Sequence, residues 1–154
     1  MPLRKLKEYL DSHQVKYQII THSPAFTAHE VAASAHVPAR QVAKTVMVKI
    51  DGRMAMAVLP AAYKIDFDLL KATVGTRDVE LATEEEFKML FPECAVGAMP
   101  PFGNLYGMDV YVAEKLTEDE DIVFCAGSHT ECVRLGYEDF ERLVDPKILR
   151  FSLT

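Results

Sequence analysis

The chain has 154 residues, 49% of them apolar and 26% charged, which is enough for one water-soluble domain with a buried core. A formal net charge of −6 excludes a protein that grips nucleic acid over a broad basic surface, although a local patch can still touch a few phosphates. No apolar run is long enough to span a bilayer. The start, Met1-Pro2-Leu3-Arg4-Lys5-Leu6-Lys7-Glu8, lacks a signal-peptide core, and Cys94, Cys125 and Cys132 match no zinc spacing. These features fit a cytoplasmic chain with reduced, buried thiols.

Leu3, Leu6, Tyr9 and Leu10 share a helical face, which predicts an amphipathic helix over 3–12. Residues 16–21 read as a short strand and 22–26 as a loop, because the residue before Pro24 is biased away from helix. Thr27 and Glu30 have capping-box spacing, so a helix is expected over 28–35, with a helical turn after Pro38. The clearest hairpin signal follows: two strand-like runs, 42–50 and 53–59, joined by Asp51-Gly52, the dipeptide a type I′ turn favours. Pro60 ends the second strand. A helix over 66–74 closes at Gly75. A strand over 79–81 follows, then a helix over 84–90 opened by Thr83 and Glu86. Residues 97–103, Gly97-Ala98-Met99-Pro100-Pro101-Phe102-Gly103, are too rich in glycine and proline for regular structure. Strands over 108–113, 122–126 and 132–135 and a last helix over 137–143 complete the chain. Helices and strands intersperse without strict alternation, which predicts an α/β fold with a mixed sheet and surrounding helices.

Three features carry chemistry. In Val42-Ala43-Lys44-Thr45-Val46-Met47-Val48, Lys44 falls on the same period-2 face as Val42, Val46 and Val48. An ammonium there either reaches water from the strand end or is presented to an anion. The 97–103 segment is either a tight connection or a stiff loop whose N–H groups can hold a developing oxyanion. Gly127-Ser128-His129, directly after a strand, is either a polar turn or a presented imidazole and hydroxyl. Ser128 and His129 are adjacent and diverge, which excludes a serine-hydrolase triad. His22, His29 and His36 complete no cluster with cysteines or carboxylates, so no metal or other cofactor is expected. Candidate phosphate contacts gather in the N-terminal half: Arg4, Lys5, Lys7, Lys16, Arg40, Lys44, Lys49 and Arg53.

In order and spacing, these three motifs resemble the YbaK/ProX family, free-standing relatives of the editing insertion domain of bacterial prolyl-tRNA synthetase. The likeness spans nearly the whole chain, and His22-Ser23-Pro24-Ala25-Phe26-Thr27 is similar to the family's early pocket loop. The resemblance implies a single domain over 1–154 of the prolyl-tRNA synthetase associated type. It also implies a metal-independent, trans-acting deacylase that hydrolyses the ester of a mischarged tRNA carrying a small amino acid such as Ala, Cys, Ser or Thr. Lys44 corresponds to the family's lysine, Gly97 and Pro101 to its Gly-x-x-x-Pro loop, and His129 to the histidine of Gly-Ser-His variants. Where some members carry an aspartate near the last motif, this chain has Glu131 and Cys132.

The resemblance thus assigns catalysis to Lys44, to the backbone of Gly97, Ala98, Met99 and Pro100, and to His129. It assigns substrate binding to His22, Phe26, Thr27, Thr45, Pro101, Phe102, Gly127 and Ser128, with Phe26, Met99 and Phe102 setting pocket size. The attacking group would be water or a hydroxyl of the substrate itself. The implied partners are the acceptor end of aminoacyl-tRNA and an aminoacyl-tRNA synthetase, with no membrane and a monomer or weak homodimer. A non-catalytic tRNA- or nucleotide-binding module and a tRNA-independent hydrolase of small esters are the competing readings.

Overall fold

In the computed structural model, residues 4–25, 28–95 and 97–153 are described, with residues 28 and 29 described by their backbone alone. Phe26 and Thr27, both expected at the pocket loop, and Leu3 lie outside the described residues, as does the side chain of His29. The fold is mixed α/β. In chain order it runs α1 (Arg4–Ser12), β1 (Tyr17–Thr21), α2 (Ala28–Ala35), β2 (Ala43–Ile50), β3 (Arg53–Pro60), β4 (Lys64–Ile65), α3 (Phe67–Val74) and β5 (Val79–Leu81). It continues through α4 (Glu84–Phe87), β6 (Asp109–Ala113), β7 (Asp121–Cys125), β8 (Glu131–Gly136), α5 (Tyr137–Val144), β9 (Lys147–Leu149) and β10 (Ser152–Leu153).

The main sheet has the order β5-β2-β3-β6-β9, with β3, β6 and β9 parallel and the other pairs antiparallel. A second, antiparallel sheet has the order β1-β8-β7. One parallel bridge, Val42 to Val123, joins β7 to the start of β2. The β2–β3 hairpin turns at Asp51 (φ 53°) and Gly52 (φ 78°), the double positive φ of a type I′ turn. Pro60 is the last residue of β3 rather than the residue after it. It faces Ala43, next to a pair in which Ala61 N–H donates to Val42 O, so Pro60 occupies a non-hydrogen-bonded position and its missing N–H costs the hairpin nothing.

The helix expected over 84–90 holds its capping box but stops being α-helical at Phe87, and Lys88–Leu90 tightens to 3₁₀. Strands β4, β9 and β10 were not foreseen: two- and three-residue strands give no period-2 run to read, and tertiary pairing alone creates them. Gly103–Tyr106, at the end of the glycine- and proline-rich segment, is a 3₁₀ turn. The core has two faces. One contains Leu6, Leu10, Met47, Met56, Phe102, Phe124, Leu135 and Phe140. The other contains Val48, Ala57, Leu59, Leu70 and Phe151, extended beside the junction of the sheets by Val31, Ala32, Val42, Val123 and Cys132.

Candidate active site

The site forms where the two sheets meet and part. Hydrogen-bond parity along β2 is fixed by two loop bonds. Ala61 N–H donates to Val42 O, so residues 42, 44 and 46 turn their backbone toward β3. Ala82 N–H donates to Met47 O, so residues 43, 45 and 47 turn theirs toward the opposite edge. Along that edge β7 bridges at Val42 and β5 joins from Val48. The N–H and C=O of Thr45 therefore open into the gap between β7 and β5, and no described residue takes them up.

Lys44 sits on the face expected from the sequence, beside Val42 in one cluster and Val46 and Val48 in the other. It is partly exposed, and no carboxylate among the described residues pairs with it. Desolvation, and then repulsion from Lys64, lower its pKa below the ordinary lysine value. Sequence reasoning missed Lys64. The tight turn in which Tyr63 N–H donates to Pro60 O brings it back over the start of β2. The signal was the Pro60 stop, which marks a chain reversal. Of the other N-terminal cations, Lys49 is held by Glu80 (3.3 Å) and Glu86 (2.6 Å), Arg4 by Glu8 (2.8 Å) and Arg40 by Asp119 (3.9 Å). These pairs make Lys49, Arg4 and Arg40 poorer candidates for an anion than Lys44 with Lys64 beside it.

The glycine- and proline-rich loop is clamped onto the turn after β7. Ala95 N–H donates to Gly127 O and Gly127 N–H to Ala98 O, each at 2.8 Å. Both glycines have positive φ, 84° at Gly97 and 95° at Gly127, where a side chain is strained. A Cβ at Gly97 would lie 3.8 Å from His129 Cε1, so loop and imidazole are neighbours. The first loop joins from the other side: His22 N–H donates to Thr130 O (2.8 Å) and Ala25 N–H to His129 O (3.0 Å). Residues 22 and 25, 95 and 98, and 127, 129 and 130 thus share one backbone network.

Within that network several expectations change. Not all of residues 97–100 can donate: Ala98 N–H is spent on Ala95 O at 3.0 Å and Pro100 has no N–H. The N–H groups of Gly97 and Met99 remain without an acceptor among the described residues. Phe102 does not line a hollow. It is fully buried in the main core, with its ring 5.6 Å from those of Phe124 and Phe140. Met99, Pro100 and Pro101 are buried too, Met99 in the same core. His22 is buried rather than at the surface, and both its nitrogens face protein atoms: Nδ1 is 2.7 Å from Ser23 O and Nε2 is 3.1 Å from Cys132 Sγ. Ser128 Oγ accepts from Thr130 N–H (3.4 Å) and lies 3.3 Å from Thr130 Oγ1, which braces the turn. Glu131, next to that turn, is a buried carboxylate. No group of three or more metal-ligating side chains occurs among the described residues, and no helix among them is long and apolar enough to cross a membrane.

Residues 22–143 match the profile of the aminoacyl-tRNA editing domain, and the chain belongs to that family. It is similar to the multifunctional Ser/Thr-tRNA deacylase ProXp-y of Escherichia coli K12, with 26% identity over 98% of this chain and 93% of the relative. It is 31% identical to part of the proline–tRNA ligase of Staphylococcus saprophyticus, a match covering 75% of this chain and 20% of the ligase. Among solved structures, a crystal structure described as a candidate trans-editing enzyme for prolyl tRNA synthetase shares the fold (TM-score 0.83, 19% identity, 98% of this chain and 96% of that one). A hypothetical protein of known structure shares it as well (TM-score 0.87, 18% identity, 97% and 100% covered). The protein is a hydrolase acting on aminoacyl-tRNA.

Proposed function

We propose that this chain removes a small amino acid, serine or threonine first among the candidates and alanine or cysteine after them, from the 3′ end of a mischarged tRNA in trans. The observation that carries the reading is the closeness of the Gly97 turn to His129, on a backbone clamp that leaves two amide donors unspent. Similarity over nearly its full length to a Ser/Thr-tRNA deacylase supports the choice of amino acid.

In this reading water attacks the ester carbonyl, its proton relayed by the free hydroxyl of the terminal ribose. The carbonyl oxygen becomes an oxyanion held by Gly97 and Met99 N–H. Collapse then breaks the bond to the ribose oxygen, which leaves with a proton. Each such donor lowers the barrier by about 2.7–4 kcal/mol. His129 positions the attacking water or brackets the aminoacyl group. Lys44 takes a phosphate or ribose hydroxyl of the terminal nucleotide, and the anion offsets the desolvation that depresses its pKa. Thr45 offers its unpaired backbone to the substrate along the open edge of β2. An apolar pocket discriminates a methylene by only about 10–200-fold, which is why such editing is needed. The chain acts near an aminoacyl-tRNA synthetase, as a monomer or weak homodimer.

The test is deacylation of tRNAs charged with alanine, cysteine, serine or threonine, run beside simple aminoacyl esters. Turnover of at least one charged tRNA, with little on the simple esters, is expected. Inactivity on all four contradicts the reading, and equal activity on simple esters favours a tRNA-independent esterase.

A further inference from the structure

Two thiols stand in the wall of the site, and no step of the deacylation uses them. Cys125 ends β7, Cys132 lies near the start of β8, and the two are direct cross-strand partners. Ala126 N–H donates to Glu131 O, which makes 126–131 a hydrogen-bonded pair and 125–132 a non-hydrogen-bonded one. In such pairs the Cα atoms lie about 4.5 Å apart with the side chains closest. Disulfides span Cα separations of about 4.4–6.8 Å. Both cysteines are free thiols here.

The pair is polarised. Ser23 O only accepts, so the ring proton of His22 sits on Nδ1 and Nε2 is an acceptor. The Cys132 thiol donates to that nitrogen from 3.1 Å. Cys132 is fully buried, whereas Cys125 is partly exposed. When Cys125 loses its proton, the Cys132 thiol can turn from His22 to that sulfur, which holds Cys125 below the ordinary thiol pKa and, with burial, pushes Cys132 above it. An accessible sulfur of lowered pKa beside a buried partner is the arrangement of an oxidisable dithiol.

We propose that Cys125 and Cys132 form a redox pair, closed by hydrogen peroxide into an internal disulfide that switches the deacylase off. The Cys125 thiolate attacks one peroxide oxygen: an S–O bond forms, the O–O bond breaks, and the departing hydroxide leaves as water after taking a proton. Cys125 is then a sulfenic acid, oxidised by two electrons as the peroxide is reduced. The Cys132 sulfur displaces its hydroxyl: the S–S bond forms, the S–O bond breaks, and the Cys132 proton passes through His22 Nε2 to the second departing water. One peroxide and two thiols give one disulfide and two waters. The bridge removes the thiol donor from His22, whose neighbouring backbone holds the turn bearing His129. Misplacing a catalytic group by about 1 Å costs ~100-fold.

The full chain is treated with hydrogen peroxide and digested with trypsin. No lysine or arginine lies between Lys115 and Arg134, so both cysteines fall in one peptide. The expected result is loss of two hydrogens from that peptide before Cys94 reacts, a ~10- to 100-fold fall in deacylation, and recovery of both with dithiothreitol. Cys125→Ser is expected to keep basal activity and ignore peroxide. Cys132→Ala, unable to close the bridge, is expected to carry Cys125 to an oxidised form that dithiothreitol does not reverse. Thiols at 125 and 132 that stay open to alkylation while Cys94 is already modified overturn the pairing. A disulfide that leaves deacylation unchanged overturns the switch. The activity arm rests on the proposed function and the mass arm does not, so a disulfide in a chain that deacylates nothing in either state supports the pair and counts against that function.

Discussion

Replacing Gly97 with alanine separates the backbone role of the loop from its packing. The added Cβ meets His129 Cε1 at 3.8 Å, an ordinary contact, so crowding contributes little. The cost comes from φ, which stands at 84°. A left-handed backbone costs a non-glycine residue about 1–2 kcal/mol. At about 2–4 °C per kcal/mol for a chain of this size, Tm falls by ~2–8 °C. If the loop keeps its shape, only that loss of stability is seen. If alanine pulls residue 97 out of the left-handed region, the N–H groups of Gly97 and Met99 swing away from the ester. Losing one such donor lowers kcat by ~100- to 1,000-fold, and that outcome is expected. Gly97→Asn is the control, because asparagine tolerates positive φ better and is expected to recover part of both losses. Melting curves and single-turnover deacylation of Ser-, Thr- and Ala-charged tRNA, measured well below Tm, report the two effects independently. A Gly97→Ala protein whose crystal structure shows residue 97 outside the left-handed region, yet with wild-type turnover, refutes the assignment of the oxyanion donors to this loop.

Lys44→Met is expected to raise Tm while lowering activity. The folded state depresses this lysine's pKa, so the unfolded chain binds more protons just below the ordinary value of 10.5. Stability therefore rises with pH in that window, and the penalty is fully present at pH 7. Denaturant titration of Lys44→Met should lose that pH dependence. Glu86 carries the opposite sign: Lys49 and the Thr83 cap hold its carboxyl down to about 2, so its contribution is present above pH 4.5 and fades as pH falls toward 2. Stability of Glu86→Gln, followed by acid titration, should lack that fade. Gly103→Ala would drive a Cβ to 2.7 Å from Val110 Cγ2 and 3.0 Å from Met108 O. It should destabilise by about 1–3 kcal/mol through overpacking, read as a lowered midpoint in urea.

Much of the fold was legible because local chemistry and tertiary structure agree. Asp51-Gly52 demands a type I′ turn and makes one. Asp66 and Gly75 cap α3 as their residue types suggest, and the Thr83–Glu86 box forms. Three kinds of feature were not legible. Strands β4, β9 and β10 exist only through partners distant in sequence. The burial of Phe102 depends on rings from three other elements, which no local pattern announces. The donor inventory of residues 97–100 required knowing where Ala98 N–H goes, and that in turn depends on the clamp to Gly127. At the site, Lys44 betrayed itself as a charge on an apolar face. Lys64 did not, because its place depends on the turn after Pro60. Cys125 and Cys132 looked like ordinary core residues until β7 and β8 set them opposite each other.

Lys44→Ala, assayed on tRNA charged with serine, threonine, alanine or cysteine, probes the central claim most directly. With its Tm at or above wild type, it should lose about 1.5–3 kcal/mol of transition-state binding, a ~10- to 150-fold fall in kcat/KM on the preferred substrate. A folded Lys44→Ala protein that deacylates every charged tRNA as fast as wild type would contradict the account.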